Sequence, residues 1–400
     1  MITIRQFIKG IVKPMTKWFA GIVPKDKKLI LFSAWFGEDY IDNSKYLFEY
    51  MLKHNSTYKI FWYTKNKELY NSLNEKGIPV LYANSIRTIW LHCRAIMFVS
   101  TVQMSDFNYF FLNKCLFVDL GHSFPGKPVG VTLGKDWADW FHYCRKGIDF
   151  YETTASKFAA DRLHDWYEVE YDKCIFTNKP RIDVFYDKEM RAGINLNVES
   201  IKGNRRLISY LPTHRDCGKT EIDITDKFNL DTIQKLCEES NSVFLIKKHF
   251  YHRNEKTDLT KYPNIFDLTG EKVDTQVLLA QTDLLVTDFS SCFNDYLVLD
   301  RPIIFYAFDY ESYLKNERDY YWKYDKINAG YTTKSKEQFN EALSAVVKDW
   351  EDSLHKEGRK EMRRVYFDDD VEVGSSRENL SHVIDELIQG TYIPFDWNKK

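Results

Sequence analysis

The stretch TDLLVTDFSSCFNDYLVLDRPIIFY, from Thr282 to Tyr306, decides the fold of this chain. Residues 284–286 form an apolar run of strand length, and an apolar helical pattern follows from residue 293 to residue 299. Arg301-Pro302 ends that pattern, and residues 303–306 read as the next buried strand. This strand–turn–helix–strand order predicts a parallel sheet, because parallel neighbours need a crossover connection.

Two serines lie between the first strand and the helix of this stretch. Ser290 and Ser291 stand where the helix begins, and the free backbone N–H groups of a helix start favour an anion. The pair is therefore a candidate phosphate site. The alternative is that Ser290 only caps the helix, which serine commonly does at this position.

Length and composition indicate a two-domain globular protein. Four hundred residues correspond to two domains of ordinary size. The net charge of −2 gives no reason to expect a nucleic-acid partner, and we predict none. Seven cysteines are scattered without a C-x-x-C pair, which favours reduced thiols in the cytosol over a disulfide framework or a zinc site.

The first 28 residues differ from this neutral average. They carry seven Lys and Arg against one acid, Asp26, with apolar residues between the cations. No apolar run here is long enough to span a bilayer. The pattern predicts a basic amphipathic helix lying on an anionic membrane surface. The alternative is an ordinary terminal helix that packs on the first domain.

Strand and helix patterns alternate through the rest of the chain, which predicts two α/β domains. The first domain spans residues 29–190, and a polar, weakly patterned segment around residues 187–204 separates it from the second. The second domain spans residues 205–375. Residues 376–390 form a final amphipathic helix. Asp368-Asp369-Asp370 suggests a metal, but we interpret it as a solvated acidic turn and predict no metal site.

A histidine follows one strand of the first domain. The strand at residues 114–120 runs into GHSFPGKPVG, residues 121–130. In doubly wound sheets ligands bind beyond the carboxyl ends of the strands, so His122 is a candidate general base on a fixed loop. A surface histidine is the alternative. Pro180-Arg181 places a cation in a later turn, where it either faces the same edge or is solvated.

Polar and basic groups also end the strands of the second domain. Thr213, His214 and Arg215 follow the strand at residues 207–211, and Lys247 and His249 lie at the tip of the strand predicted over residues 242–252. Together with the serine pair they predict a polyphosphate site, because several donors must share two or three negative charges. No Walker-type or G-x-G-x-x-G glycine loop is present in the sequence.

Four of these segments resemble the CDP-glycerol glycerophosphotransferases, the teichoic acid primases and polymerases. GHSFPGKPVG resembles the family's W-H-G-T-P-x-K, and YLPTHRD resembles Y-x-P-T-x-R-D. IKKH is similar to its basic x-x-H strand end, and VTDFSSCFNDYLVLDRPIIF to T-D-Y-S-S-x-x-F-D-Y-x-x-x-x-R-P-x-x-F. Order and spacing match over about residues 29–390.

The resemblance implies a GT-B fold, in which two Rossmann-like, doubly wound domains face a central cleft. The first is the acceptor-side domain and the second binds a CDP-polyol. An acceptor hydroxyl attacks the phosphorus that carries the polyol, and CMP is released. By the same resemblance His122 is the catalytic base and His249 stabilises charge on the donor phosphates. The implied substrate-binding residues are Gly121, Ser123, Pro125, Arg181, Thr213, His214, Arg215, Lys247, Ser290, Ser291 and Asp295.

The resemblance also sets the expected partners. CDP-glycerol is the expected donor and co-substrate, with no further cofactor, and CDP-ribitol is the alternative. The acceptor is a prenyl-diphosphate-linked or polymeric hydroxyl, in teichoic-acid-like or capsular polymer synthesis, at the cytoplasmic face of the membrane. An oligomer is compatible with the sequence. Other readings are a GT-B glycosyltransferase that uses a nucleotide sugar and a membrane-bound scaffold without catalysis.

The chain departs from the family pattern beside the base. Ser123 and Phe124 stand where the family has glycine and threonine, so a glycine next to His122 is lost. The extra side chain either crowds the approach of the acceptor or adds a hydroxyl.

Overall fold

A computed structural model describes residues 14–122, 129–215, 220–249, 252–316 and 326–399 of the chain. These residues form two compact units. Unit 1 contains the described residues up to 122, residues 129–183 and residues 369–399, and unit 2 contains the described residues between 184 and 368. In this part of the chain, every helix is too short or too polar to cross a membrane.

Unit 1 is built on a seven-stranded parallel sheet in the order β3-β2-β1-β4-β5-β6-β7. The order runs outward from β1 in one direction and from β4 in the other, which makes the β1/β4 pair the switch point of a doubly wound sheet. The strands are β1 (Asp26–Phe32), β2 (Lys59–Thr64), β3 (Val80–Tyr82), β4 (Ala95–Ser100), β5 (Cys115–Asp119), β6 (Ile148–Thr154) and β7 (Cys174–Phe176).

Helices cover both faces of this sheet. One core contains Leu47, Phe48 and Met51 of the first crossover helix, and the other contains Phe141 and Leu163. The helices are α1 (residues 14–22), α2 (Asp42–His54), α3 (Lys67–Glu75), α4 (Ile86–Arg94), α5 (Lys135–Arg145) and α6 (Lys157–Tyr167).

Unit 2 repeats the architecture with six parallel strands in the order β10-β9-β8-β11-β12-β13. Its switch point lies between β8 and β11. The strands are β8 (Arg206–Leu211), β9 (Ser242–Ile246), β10 (Ile265–Asp267), β11 (Leu284–Thr287), β12 (Ile303–Tyr306) and β13 (Tyr331–Thr333).

The helices of unit 2 bury apolar residues such as Ile233, Phe339 and Leu343 on one face of the sheet. They are α7 (Lys188–Arg191), α8 (Leu196–Lys202), α9 (Ile224–Lys227), α10 (Leu230–Glu239), α11 (Thr275–Gln281), α12 (Cys292–Tyr296), α13 (Tyr310–Asn316), α14 (Lys336–Val346) and α15 (Lys356–Tyr366). The chain then returns to unit 1, where α16 (Ser376–Gln389) packs Leu380 and Ile384 into the core beside α2.

The Thr282–Tyr306 stretch folds as the predicted strand, helix and strand. The helical part is shorter than its pattern: α12 stops at Tyr296, and a 3₁₀ turn over Leu297–Leu299 completes it. Asp300 ends the turn in a left-handed conformation, with a φ of 48°. β11 and β12 pair in parallel on either side of this connection.

Helix α1 packs on unit 1 through the side chain of Lys17. This side chain is buried, and its Nζ donates to the carbonyls of Cys144 and Lys146 at 2.8 and 2.9 Å. Burial lowers the pKa of Lys17 to about 8. The carbonyls lie at the C-terminal end of α5, where unpaired acceptors favour a cation, so the lysine anchors α1 to unit 1.

Candidate active site

The loop after β1 has a strained backbone. Trp35, Phe36 and Asp42 have φ values of 48°, 63° and 66°, a region that costs a non-glycine residue about 1–3 kcal/mol. Asp106, which is buried, holds the loop by accepting the backbone N–H of Phe36 at 2.6 Å. Such strain persists only where the surroundings fix the conformation, and it clusters at functional sites.

Gly121 and His122 follow β5 at the same edge of the sheet. Asn43 donates its side-chain N–H to the Gly121 carbonyl at 2.6 Å, and Arg181 Nη1 donates to the His122 carbonyl. The Trp35 indole meets the His122 imidazole edge-on, with the ring centroids 5.4 Å apart at 71°. The backbone and the ring of His122 are therefore both held by neighbouring side chains.

The electrostatics of this edge keep His122 neutral. His122 is exposed to solvent, yet desolvation by the surrounding protein lowers its pKa to about 4. Asp42 opposes this shift, while the cations Arg181 and Lys179 add to it. An imidazole that is neutral and that a substrate can reach has the protonation state that a general base needs at neutral pH.

Arg181 faces inward in unit 1. It is only 6 % exposed, and its Nη1 pairs with Asp42 Oδ1 at 3.0 Å. The predicted donor contact of Arg181 stays a prediction, and its observed contacts assign the guanidinium to the loop around His122. Ser123 and Pro125, which were also predicted to bind substrate, lie outside the described residues.

Sequence reasoning missed Trp35, Asp42 and Asn43. The sequence pattern predicts a helix from Tyr46 to His54, whereas α2 begins at Asp42. The run Asp42-Asn43-Ser44 is typical of helix starts, and that signal places these residues at the carboxyl end of β1. Asn43 contacts Gly121, 78 residues away in the chain, and Asp42 contacts Arg181, 139 residues away. No local sequence pattern reveals contacts between residues so far apart.

In unit 2, β9 ends at Ile246, earlier than the predicted strand over residues 242–252, so Lys247 and His249 follow it. The imidazole of His249 lies 4.9 Å from that of His214, which follows β8. Desolvation, with the neighbouring His214 and Lys247, lowers the pKa of His249 to about 3. Desolvation also lowers the pKa of Lys247, whose Nζ reaches Thr275 Oγ1 at 3.3 Å.

Thr213 and Arg215 join the ends of β8 and β11. The backbone N–H and the hydroxyl of Thr213 both donate to Asp288 Oδ1, at 2.8 and 2.7 Å. Arg215 is 6 % exposed and pairs with Asp288 at 2.7 Å and with Asp309 at 2.6 Å. Arg215 is therefore a buried structural link between these strand ends. Its predicted donor contact remains a prediction.

The serine pair is half-buried at the start of α12. Ser291 occupies the N-cap position without a side-chain capping bond, and Ser290 Oγ accepts the Cys292 N–H at 3.4 Å, a long contact. The capping alternative therefore has little support from geometry. Asp295, one turn further on, is buried and accepts from Gln276 Nε2 at 2.9 Å.

The chain is similar to known proteins over most of its length. The family model of the CDP-glycerol:poly(glycerophosphate) glycerophosphotransferases matches residues 16–384. The teichoic acid poly(glycerol phosphate) polymerase of Bacillus subtilis strain 168 is 26% identical over 347 residues, which cover 82% of this chain and 45% of that protein. The teichoic acid ribitol-phosphate polymerase TarL of Staphylococcus aureus strain NCTC 8325 is 31% identical over 172 residues, 42% of this chain and 30% of that protein. The chain thus spans less than half the length of these two relatives.

A solved structure confirms the predicted fold. The wall teichoic acid polymerase TagF is 20% identical, with a TM-score of 0.76 over 98% of this chain and 96% of that one. Two α/β domains with parallel, doubly wound sheets, as in GT-B proteins, are common to both. Since the family model covers most of the sequence, the chain belongs to the CDP-glycerol:poly(glycerophosphate) glycerophosphotransferase family, as its four motifs predicted.

Proposed function

We propose that this protein transfers glycerol phosphate from CDP-glycerol to an acceptor hydroxyl and releases CMP. The observation that carries the proposal is His122, a neutral, accessible imidazole fixed at the carboxyl edge of the first sheet. It takes the proton of the hydroxyl while the hydroxyl oxygen forms the new bond to phosphorus. The bond from phosphorus to the CMP oxygen breaks, and CMP leaves with that electron pair.

The donor phosphates are assigned to unit 2. The candidate phosphate-binding groups follow three neighbouring strands: Thr213 follows β8, Lys247 and His249 follow β9, and the serine pair follows β11. These strand ends lie at the switch point, where doubly wound sheets bind ligands. Phosphoryl transfer depends mainly on positioning and on neutralising charge, which these groups supply. TagF, which shares the fold, has been solved after soaking with CDPG.

CDP-ribitol is the second candidate donor. The match to the ribitol-phosphate polymerase TarL has a higher sequence identity, 31%, than the match to the Bacillus subtilis glycerol-phosphate polymerase, 26%, although it covers under half of the chain. The two donors share the cytidine diphosphate and differ in the length of the polyol. A direct comparison of their kcat/KM values separates them.

We also propose that unit 1 attaches peripherally to the cytoplasmic face of an anionic membrane, where the acceptor is linked to a prenyl diphosphate or to a growing polymer. Four apolar side chains of α1 are exposed: Met15, Trp18, Phe19 and Ile22. Ala20 and Val23 pack α1 against Cys93 of α4, whose Ile86 and Trp90 are exposed too. Exposed tryptophans beside basic residues are typical of surfaces that insert into the headgroup layer.

The test is release of CMP from radiolabelled CDP-glycerol in the presence of a prenyl-linked acceptor. His122→Ala is expected to lose at least about 10²-fold in kcat, the low end of the contribution of a general base, while CDP-glycerol still binds. The matched control is His382→Ala, which removes an exposed histidine of α16. Wild-type turnover of His122→Ala, or no CMP release by the wild type with any CDP-polyol, contradicts the proposal.

A further inference from the structure

We propose that Asp42 is the residue that positions the His122 imidazole for proton transfer. This inference rests on the proposed function, in which His122 is the base. Asp42 is a positioning residue in this account, because its contacts run to protein groups that hold His122.

The carboxylate of Asp42 joins two separate supports of His122. Its Oδ2 accepts the indole N–H of Trp35 at 3.1 Å. Its Oδ1 accepts Nη1 of Arg181 at 3.0 Å. The pair is largely shielded from water, with the Asp42 and Arg181 side chains 10% and 7% exposed. Charge-assisted hydrogen bonds in such surroundings hold their geometry firmly.

The first support acts on the ring. The Trp35 indole meets the imidazole edge-on at 5.4 Å, so the orientation of the indole limits the rotation of the His122 side chain. The hydrogen bond from the indole N–H to Asp42 fixes that orientation. Without it the indole keeps its packing but loses the contact that sets its angle.

The second support acts on the backbone. Arg181 Nη1 also donates to the His122 carbonyl, and the Arg181 backbone N–H donates to Asn43 Oδ1 at 3.0 Å. Asn43 in turn donates to the Gly121 carbonyl at 2.6 Å. Asp42 and Asn43 lie in the first turn of α2 and hold the Gly121-His122 segment, Asn43 by a direct hydrogen bond and Asp42 through Arg181.

The backbone of Asp42 supports the same conclusion. Both Asp42 and its partner Trp35 have positive φ, a conformation that non-glycine residues adopt rarely. The hydrogen bond between their side chains links the two strained positions. Strain at both ends of one contact is expected where the contact is used to orient a functional group.

The test is Asp42→Asn, which keeps the shape of the side chain but removes its charge and one acceptor. We expect kcat to fall by about 10²-fold, the effect of misplacing a reacting group by about 1 Å, with the KM for CDP-glycerol unchanged. The acid limb of the kcat/KM profile should move to lower pH, because the charge of Asp42 raises the pKa of His122 against the opposing effects of Arg181 and Lys179. A purely structural role would not lower kcat at unchanged KM, and movement of the limb shows that the charge of Asp42 acts on His122.

Two further variants keep the inference falsifiable. Trp35→Phe keeps an aromatic ring at this position and deletes the indole N–H together with part of the ring surface. It should lower kcat without changing KM, and the double variant should be no slower than Asp42→Asn. If Asp42→Asn does not fold, wild-type kcat in Trp35→Phe overturns the inference. The matched control is Asp283→Asn in unit 2, whose carboxylate pairs with Lys202 and Arg206 and should leave the acid limb in place.

The outcomes separate this inference from the proposed function. If His122→Ala keeps its turnover, the proposed role of His122 is wrong. If His122→Ala is inactive while folded Asp42→Asn has the kcat and the acid limb of the wild type, the proposed function stands and the role of Asp42 is wrong.

Discussion

The imidazole rings of His214 and His249 lie 4.9 Å apart at an angle of 58°, one after β8 and the other after β9. Any positive charge on His214 disfavours a second charge on His249, and Lys247 acts in the same direction. His249 is therefore neutral at neutral pH. Negative charge placed beside the ring would favour its protonated form.

We predict that a bound cytidine diphosphate raises the pKa of His249. Its pKa of about 3 is set by desolvation and by neighbouring cationic groups, and the negative charge of the ligand opposes both effects. At a pH between the pKa values of His249 without and with CDP, binding should therefore be accompanied by uptake of a proton. NMR titration of labelled histidines with and without saturating CDP measures the shift, and a His249→Gln sample assigns the signal. An unchanged His249 titration would refute the prediction.

A second prediction concerns His92, a buried histidine in the core of unit 1. It is 2 % exposed, packs against Tyr63, Phe98 and Phe107, and has no hydrogen-bond partner on either ring nitrogen among the described residues. Burial lowers its pKa to about 3. The unfolded chain, where a histidine titrates near 6.5, therefore binds more protons than the folded one between these values, and stability falls as the pH drops through this window.

The corresponding variant is His92→Leu, which has a similar volume. It should remove a destabilisation of about 2 kcal/mol at pH 5, from the difference between the two pKa values, and leave the pH dependence above pH 7 unchanged. Denaturant unfolding of unit 1 at pH 5 and pH 8 measures the difference. His382→Leu, which replaces an exposed histidine, is the control. Equal acid sensitivity of the His92→Leu variant and the wild type would contradict the prediction.

A third prediction concerns the exposed tryptophans of unit 1. Trp18 and Trp90 are 66 % and 48 % exposed, and each should contribute to membrane binding by burying aromatic surface in the headgroup layer. Trp18→Ala and Trp90→Ala should each weaken partitioning into anionic vesicles by about tenfold, since burying such a side chain contributes about 1.5–3 kcal/mol. Activity on a soluble acceptor should not change.

Point substitutions are preferable here to removal of the N-terminus. Lys17 and Lys25 donate to carbonyls of unit 1, so a truncation would disturb the packing as well as the exposed face. Leu354→Ala is the matched control, because Leu354 is 74 % exposed but belongs to unit 2. Vesicle flotation that is unchanged in both tryptophan variants would exclude this surface.

The local pattern of the sequence was sufficient for the elements and for their order. The stretch from Thr282 to Tyr306 predicted a strand, a helix and a parallel strand, and β11, α12 and β12 lie there. Alternation of strand and helix patterns predicted two α/β domains, and the motifs at the strand ends predicted the family. These features depend on side-chain periodicity and on residues close together in the chain, which a sequence displays directly.

The boundaries were less predictable than the elements. The strand predicted over residues 242–252 ends at Ile246 as β9, because the apolar run ends there and Lys247 begins a polar segment. Helix α2 begins at Asp42, four residues before the predicted start at Tyr46. Each shifted boundary concerns a candidate site residue. Lys247 lies outside the strand that was predicted to include it, and Asp42 belongs to a helix that was predicted to begin after it.

The sequence by itself determined the strand-and-helix order, the parallel sheets and the family, because each depends on periodicity or on contiguous motifs. Only the tertiary structure decided which side chains hold the candidate base. Trp35 contacts the His122 ring and Asp42, Asp42 pairs with Arg181, and Asn43 donates to the Gly121 carbonyl, all across the switch point of the first sheet. It also decided that Lys17 is buried rather than solvated. The physical reason is the same for both. A hydrogen bond needs its two groups within about 3 Å, and packing sets that distance between residues that are remote in the chain.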